Sequence, residues 1–362
     1  MTYDLGTLEW NVHGKSRCVN AVAPIRICDI GGWTDTWFAK NGAILNFAVY
    51  PQVEVQINSR IADTGGEIKI NAENYGDNYI YAKVEEIEYY KHPLIEAAIE
   101  AMGLAESSDM DYNISIYSSA PPGASTGTSA AVSVALISAL DELTAGRMTA
   151  HEIAMKAHSI ETDHLHLQCG IQDQLASAYG GINFIEMLDF PNAIVSPVKV
   201  PERLWLELQN RMAVIYVGKP HKSSEIHQMV IKSLESNDKK GQEVLRLLGD
   251  NARNAKTALL LGDLMQFAQC MQFNTQLQTR LHPKLVGEAA QEIMKIASEY
   301  GAIAGKVNGA GGDGGSVVLL FSSNRSRKRK CIERLEEMGY ISMYTPLCEH
   351  GVRTWEGFGP WS

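Results

Sequence analysis

Alternation of apolar and polar residues is the clearest pattern in the first half of the chain, and it predicts a β-sheet. β-Branched and aromatic residues alternate with polar ones over residues 19–27 and 112–117. Two further runs, 43–50 and 52–58, flank Pro51. We therefore expect these two runs to form a hairpin that bends at the proline.

Helical spacing of apolar residues is found between and after these runs. It predicts helices over residues 92–102, 151–164 and 171–179, and several more over 224–300. Shorter apolar runs predict further strands at 67–71, 78–83, 182–186, 212–217 and 316–321. At 362 residues and 45% hydrophobic content, the chain is long enough for two domains with sizeable cores. We expect these to be 1–203 and 204–362, with the boundary near residues 197–206.

Charge and composition narrow the classes of partner. The chain has 32 basic and 42 acidic side chains, a formal net charge of −10, which argues against nucleic acid and anionic membranes. It has no apolar run of membrane-spanning length, and its first residues lack the layout of a signal peptide. The six cysteines are scattered, as in reduced proteins. We expect a cytoplasmic monomer or homodimer that binds neither nucleic acid nor membrane.

A loop of small residues, Pro-Pro-Gly-Ala-Ser-Thr-Gly-Thr-Ser at 121–129, joins the strand at 112–117 to an Ala-rich apolar run at 132–143. A helix that begins there has unpaired backbone N–H groups and the positive end of its dipole, which together bind anions. Small residues let a phosphate approach that backbone closely. The loop lacks the Gly-Lys-Ser/Thr that closes a P-loop. A capped helix after a turn is the alternative interpretation.

Two other glycine-containing segments carry polar side chains. In the first, Ala-Pro-Ile-Arg-Ile at 23–27 runs into the turn at 29–36, which reads Asp-Ile-Gly-Gly-Trp-Thr-Asp-Thr. In the second, residues 306–315 read Lys-Val-Asn-Gly-Ala-Gly-Gly-Asp-Gly-Gly. With the loop at 122–131 between them, they resemble the three signature motifs of the GHMP kinases, the family of galactokinase, homoserine kinase and mevalonate kinase. The resemblance implies an α+β fold with two domains. These are a ribosomal protein S5 domain 2-like N-terminal domain and a ferredoxin-like C-terminal domain, and ATP would meet an acceptor in the cleft between them.

The resemblance also implies which residues bind ATP and Mg²⁺. In the family, a serine at the position of Ser129 and a glutamate on the next helix, here Glu161, hold the metal. Without the resemblance, the alternative interpretation of Glu161 is a surface carboxylate on an exposed helix face. The residues expected to bind the nucleotide are Pro122, Gly123, Ala124, Ser125, Thr126, Gly127, Thr128, Ser129, Gly311 and Gly312.

Two residues are expected to serve catalysis. The segment Gly-Ile-Gln-Asp-Gln at 170–174 is similar to the family's segment around the catalytic aspartate, which implies that Asp173 is the general base. In galactokinase-like members an arginine at the position of Arg26 lies near this aspartate. Arg26 is therefore expected to stabilise developing negative charge or to bind the acceptor's own phosphate. The alternatives are a helix N-cap for Asp173 and a paired core arginine for Arg26.

The turn Gly-Gly-Trp-Thr-Asp is similar to that of bacterial heptose kinases and fucokinases, which implies a sugar or sugar phosphate as the substrate. Asp35 would accept hydrogen bonds from sugar hydroxyls, and Trp33 would stack on the ring or pack in the core. The residues expected to bind the sugar are Gly32, Trp33, Asp35, Lys219 and His221. Three places depart from the pattern. Asp313 replaces a usual glycine, His221 stands where heptose kinases tend to have arginine, and Ala-Ser-Thr at 124–126 replaces the commoner Ser-Gly-Leu.

The expected reaction is transfer of the γ-phosphate of ATP to the anomeric hydroxyl of a sugar, with D-glycero-D-manno-heptose 7-phosphate as the first hypothesis. A basic pocket would favour that acceptor. An uncharged pocket would favour the second hypothesis, an unphosphorylated sugar such as fucose, galactose or a uronic acid. The third hypothesis is a non-catalytic sugar or ATP sensor on the same fold, which the presence of Ser129, Glu161 and Asp173 argues against.

Overall fold

Two β-sheets with packed helices form the protein. The computed structural model describes residues 16–63, 65–81, 89–104, 109–219, 228–232, 234 and 238–357. The strands are β1 Arg17–Ile30, β2 Gly42–Ile61, β3 Ile68–Ala72, β4 Asp77–Tyr81, β5 Met110–Ser118, β6 Ile182–Asp189, β7 Asn192–Pro197, β8 Met212–Tyr216, β9 Ala302–Val307, β10 Ser316–Phe321, β11 Ile341–Met343 and β12 Arg353–Glu356.

The helices lie between the strands in both halves of the chain. They are α1 Pro93–Ala101, α2 Thr128–Glu142, α3 Ala150–Ser159, α4 Gln172–Tyr179, α5 Glu202–Arg211, α6 Asp238–Leu261, α7 Leu264–Leu281, α8 Glu288–Glu299 and α9 Arg325–Glu337. A π-helical turn, Ile160–His164, continues α3, and a 3₁₀ turn, Pro283–Leu285, follows α7. None of the helices in the described residues is long and apolar enough to cross a membrane.

The larger sheet has the strand order β12-β1-β2-β5-β3-β4, and β6 and β7 branch from β2. The pairs are antiparallel except β3 with β5, which is parallel. The smaller sheet is antiparallel, with the order β11-β8-β10-β9. The α+β fold with two domains is therefore confirmed. The division at residue 203 stays a prediction, and β12, from the end of the chain, pairs with β1.

The hairpin expected at Pro51 is wrong. Residues 42–61 form one continuous strand, β2, which pairs with β6 through its first part and with β5 through its second. Pro51 lies where the pairing with β1 shifts register, between Pro24 and Ile25. Because a proline has no N–H to donate, it fits an irregular point in a ladder without ending the strand.

Within the region 197–206, where we expect the domain boundary, α5 begins at Glu202. Leu204 and Leu208 are the buried residues of this helix, and their four-residue spacing is typical of a helix face on a core. The strands β7, β9, β11 and β12 have three to six residues each and were not predicted. Their runs are too short to show a period.

One hydrophobic core joins the two sheets. It contains Ile25 and Phe47 from the larger sheet together with Val318 from the smaller one. Phe47 meets Phe267 of α7 edge-on, with ring centroids 5.8 Å apart, so α7 also packs on the larger sheet. A second core, formed with α8 and α9, covers the other face of the smaller sheet. This arrangement brings the end of β1 against the end of β9.

Candidate active site

A cavity of about 360 Å³ brings together side chains from all three glycine-containing segments. Its wall is formed by parts of the turn at 29–36, the loop at 123–130, residues between 161 and 174, and Gly309 with Ala310. Among the described residues of this wall, four have carboxyl groups. They belong to Asp29, Asp35, Glu161 and Asp173.

The glycine loop leaves the start of α2 open to an anion. Gly123, Ser125 and Gly127 have left-handed φ angles of 71°, 59° and 69°, and this conformation favours glycine. Gly127 is the N-cap of α2, and it provides no side-chain acceptor for the first turn. The N–H groups of that turn, with the helix dipole, could therefore bind an anion, as the sequence predicts.

The carbonyl oxygens of the loop fix it to both sheets. The backbone N–H of Arg26 donates to Thr126 O at 2.9 Å, and Arg26 Nη1 donates to Ser125 O at 2.5 Å. Ser316 Oγ of β10 donates to Ala124 O at 2.6 Å. Because these contacts use carbonyl oxygens, they hold the loop without occupying its N–H donors.

Arg26 holds Asp173 through a two-point contact. Its Nε donates to Asp173 Oδ1 at 2.7 Å and its Nη2 donates to Asp173 Oδ2 at 3.1 Å. Burial alone would lower the pKa of the Arg26 guanidinium, but Asp173 and Asp29 raise it overall. Arg26 is therefore permanently charged, and the planar fork fixes the plane of the carboxylate.

Asp35 is a buried carboxyl that lines the same cavity. Its Oδ2 accepts a hydrogen bond from Gln172 N at 3.1 Å. A Cβ on Gly170 would lie 2.0 Å from Asp35 Oδ2, so a larger residue there would displace the carboxyl. Burial raises the pKa of Asp35 from its ordinary 3.8 to about 6, with Gln172 opposing and Asp173 adding to the shift. Ionisation of Asp35 is therefore unfavourable until hydrogen bonds from a ligand replace the hydration that burial removes.

Asp35→Asn should stabilise the folded protein at alkaline pH. Because the folded pKa lies above the unfolded one, stability falls as the pH rises from about 4 through about 6. The difference between these pKa values corresponds to at most about 3 kcal/mol. The free energy of unfolding, measured in urea, should therefore favour the variant more at pH 8 than at pH 4.5. An equal difference in unfolding free energy between variant and wild type at both pH values would contradict the raised pKa of Asp35.

Glu161 lies on the π-helical turn and is also buried. Its Oε1 accepts a hydrogen bond from Gln174 Nε2 at 2.6 Å. Burial raises the pKa of Glu161 to about 7, with Gln174 opposing and Asp173 adding to the shift. The alternative of a surface carboxylate is therefore wrong, because Glu161 is 8% exposed and lines the cavity.

The third glycine segment reaches the cavity through different residues than the resemblance implied. Gly311 and Gly312 turn away from it: a Cβ on Gly311 would lie 2.1 Å from Leu285 O, and Gly312 N donates to the same oxygen at 3.2 Å. Gly309 and Ala310 line the cavity instead. The glycines at 311 and 312 serve close packing against the 3₁₀ turn.

Other residues expected at the site differ in position. Pro122, Gly32 and Lys219 are not among the described residues that line the cavity, and Lys219 is exposed. A Cβ on Gly32 would lie 2.5 Å from Asp29 Oδ2, so this glycine serves the packing of the turn. The prediction for His221 falls outside the described residues. Trp33, Asp35 and the loop from Gly123 to Ser129 do line the cavity.

Several residues of the site were not found from the sequence. Gln172 and Gln174 flank Asp173 at the start of α4, and the signal for them was the Gln-Asp-Gln run itself. Lys306 is fully buried and does not line the described wall. The sequence feature that could have identified it is a lysine inside a short apolar run. Asp313, the departure from the glycine pattern, is exposed and away from the described wall.

Comparison with known families decides the classification. The family model "GHMP kinases N terminal domain" matches residues 90–181, and "GHMP kinases C terminal" matches residues 255–341. The two models occur in this order along one chain. The chain belongs to the GHMP kinase family. It is therefore a phosphotransferase that uses an alcohol group as acceptor, and ATP is the family's phosphate donor.

Individual relatives include proteins that act on sugars. The chain is 27% identical over 247 residues to the D-glycero-alpha-D-manno-heptose 7-phosphate kinase of Campylobacter jejuni, covering 68% of this chain and 71% of that protein. It is 24% identical over 333 residues to the bifunctional fucokinase/GDP-fucose pyrophosphorylase of Arabidopsis thaliana, covering 87% of this chain and 31% of that protein.

Solved structures share the fold. A heptose 1-phosphate kinase from Bacteroides thetaiotaomicron superposes with a TM-score of 0.73 at 24% identity, over 94% of this chain and 100% of the other. Lactococcus lactis galactokinase, solved with galactose, gives a TM-score of 0.72 at 17% identity, over 93% of this chain and 95% of the other.

GHMP kinases typically use Mg²⁺ with ATP, and this kinase has side chains that fit the ion. Among the described residues, no group of three or more His, Cys, Asp or Glu side chains could hold a metal. The Glu161 carboxyl and the Ser129 hydroxyl line the same cavity. One carboxylate and one hydroxyl suit Mg²⁺, which takes its remaining ligands from water and phosphate oxygens. The pair fits a metal that arrives with the nucleotide.

Proposed function

We propose that this GHMP kinase is an ATP-dependent sugar kinase that phosphorylates an anomeric hydroxyl, with D-glycero-D-manno-heptose 7-phosphate as its acceptor. The observation that carries the proposal is the Arg26–Asp173 fork beside the glycine loop and in the same cavity as Asp35. This arrangement supplies a base, a cation and a hydroxyl-binding carboxylate around one space.

Asp173 accepts the proton of the attacking hydroxyl in this proposal. An aspartate is a weak base near neutral pH, so the proton moves late, when the loose transition state has already made the hydroxyl acidic. Arg26 orients the carboxylate and offsets negative charge that develops nearby. The fork leaves the carboxylate in plane with the guanidinium, which limits the directions from which a hydroxyl can approach.

The nucleotide phosphates lie on the glycine loop in this proposal, against the N–H groups at the start of α2. Ser129 and Glu161 would hold Mg²⁺, which neutralises phosphate charge when bound. The buried position of Glu161 lets it hold the cation firmly, because removal from water strengthens the attraction between opposite charges.

The sugar lies between Asp35, Trp33 and Asp173. Asp35 accepts hydrogen bonds from two adjacent hydroxyls, which replace the water that its burial excludes. The heptose phosphate is chosen because the protein of Campylobacter jejuni with that activity matches along 68% of this chain.

A second acceptor class, an unphosphorylated sugar, is favoured by the charge of the cavity. The described wall has four carboxyl groups, and Arg26 is its cation, which already holds Asp173. A sugar phosphate placed among these carboxylates would be repelled. Lys219 is exposed and does not line the described wall.

The acceptor class is tested by measuring kcat/KM for D-glycero-D-manno-heptose 7-phosphate beside the unphosphorylated heptose, fucose, galactose and glucuronic acid. Preference for the phosphorylated heptose by about tenfold or more would support the first acceptor. The reverse preference would support the second. The pair of heptoses differs only in the phosphate, so their ratio isolates its contribution.

Ser129→Ala should weaken the binding of Mg²⁺–ATP and leave the KM for the sugar nearly unchanged. The hydroxyl lies at the start of α2, on the nucleotide side of the cavity, and its loss removes one proposed metal ligand. We expect the Mg²⁺ concentration for half-maximal rate to rise by about tenfold, the size of loss typical of one metal contact. An effect on sugar affinity alone would contradict the metal assignment.

A further inference from the structure

A buried ion pair joins the two sheets directly behind Arg26. Lys306, near the end of β9, is fully buried, and its Nζ donates to Asp29 Oδ1 at 2.9 Å and to Val307 O at 2.7 Å. Asp29, near the end of β1, is 1% exposed. Lys306 is not among the described residues that line the cavity, whereas Asp29 is.

An irregularity in β1 places Asp29 at this point. The pairing of β1 with β2 shifts register between Ile27 and Ile30, and Cys28 has a left-handed φ of 55°. The freed Cys28 N donates to Asn308 Oδ1 at 2.8 Å. These features turn the Asp29 carboxylate towards the third glycine segment, where Gly309 N donates to Asp29 Oδ1 at 3.0 Å.

Asp29 and Asp173 stand on either side of one guanidinium. Arg26 Nη1 lies 4.0 Å from Asp29 Oδ1, and Arg26 Nε lies 2.7 Å from Asp173 Oδ1. Asp29 Oδ2 is buried and has no hydrogen-bond partner among the described residues. Without Lys306, Asp29 would be a buried anion with Arg26 as its nearest cation, and attraction between such charges is strong away from water.

We propose that Lys306 is a positioning residue for the phosphoryl transfer: its charge neutralises Asp29, so that Arg26 keeps both of its contacts with Asp173. The inference rests on the proposed function, in which Asp173 receives the proton. Burial alone would raise the pKa of Asp29, but Lys306 and Arg26 lower it below its ordinary value. Asp29 is therefore an anion, and it needs the partner that Lys306 provides.

The kinetic test compares Lys306→Gln with Asp29→Asn in the full chain. Each variant keeps a hydrogen-bonding side chain and removes one charge of the same ion pair. Only Lys306→Gln leaves a second anion beside Arg26, so we expect it to lower kcat about tenfold more than Asp29→Asn, with the KM for ATP changed less than about threefold. Equal losses of kcat would identify a purely structural ion pair and overturn the inference.

The double variant Lys306→Gln/Asp29→Asn should recover the kcat that Lys306→Gln alone loses. It removes both charges, so Arg26 again has Asp173 as its nearest anion, and kcat should match that of Asp29→Asn. This comparison decides the question if Lys306→Gln alone fails to fold. A double variant with kcat about tenfold below Asp29→Asn would overturn the inference, because no competing anion remains.

Crystal structures of the wild type and Lys306→Gln without acceptor separate this inference from the proposed function. In Lys306→Gln we expect Arg26 Nη1 to move within hydrogen-bonding distance of Asp29 Oδ1 and at least one contact with Asp173 to be lost. Intact contacts between Arg26 and Asp173 would overturn the inference whatever the acceptor is. If the wild type phosphorylates none of the sugars tested, the proposed function fails, and this structural comparison still decides the role of Lys306.

Discussion

Asp173→Asn lowers turnover by about two orders of magnitude or more and leaves ATP binding nearly unchanged, if Asp173 is the general base. The amide oxygen can still accept a hydrogen bond from Arg26 Nε, whereas the contact with Nη2 is lost because the amide nitrogen is a donor. The amide cannot take the proton of the hydroxyl. Steady-state kcat, together with titration of a fluorescent nucleotide, measures the two effects separately.

The matched control is Asp163→Asn, the same chemical change at an exposed position outside the described cavity wall. It should leave kcat unchanged. Unchanged turnover in Asp173→Asn itself would remove Asp173 from the mechanism. A parallel loss of ATP affinity would indicate instead that the carboxylate supports the nucleotide site.

Arg26→Met destabilises the fold by about 3 kcal/mol or more and lowers turnover by about two orders of magnitude. Arg26 is 4% exposed and links Asp173, Asp29 and Ser125 O. Its loss leaves Asp173 without its cation and frees the loop, whereas Asp29 keeps its ion pair with Lys306. Chemical denaturation measures the free energy of unfolding, and kcat is measured at a temperature where the variant is folded.

Two controls separate charge from geometry. Arg26→Lys keeps the charge but not the planar fork, so it should recover stability more than turnover. Arg60→Met breaks an ion pair with Asp111 on the surface and should change stability by less than about 1 kcal/mol. Stability and turnover near the wild-type values in Arg26→Met would contradict the role of the fork.

The fold could be predicted where a single segment of the sequence has a long hydrophobic pattern. The strands around residues 19–27 and 112–117 and the loop before α2 have clear patterns, and the structure contains all three. The hairpin prediction at Pro51 was wrong because the effect of a proline depends on the neighbouring strand. The pairing of β1 with β2 shifts register there, so the missing N–H does not end the strand. Short strands such as β9 carry too few residues for a period.

Site residues could be predicted where they belong to a sequence motif. Contacts between residues far apart in the sequence could not be predicted. Asp173 and Arg26 came from motif segments, and the structure brings them together. Lys306 lies 277 positions from Asp29 in the chain, and no local pattern links them. The contact depends on the irregularity at Cys28, which turns Asp29 towards the other sheet. Such an effect appears only when both sheets are in place.

We propose that this cavity passes the γ-phosphate of ATP to the anomeric oxygen of a sugar. The most direct measurement is ³¹P NMR of products formed from ATP, Mg²⁺ and each sugar of the panel, with Asp173→Asn as the reference. We expect a sugar 1-phosphate signal that grows with wild-type protein and is nearly absent with the variant. ATP binding without phosphorylation of any sugar, or equal product from both proteins, would contradict it.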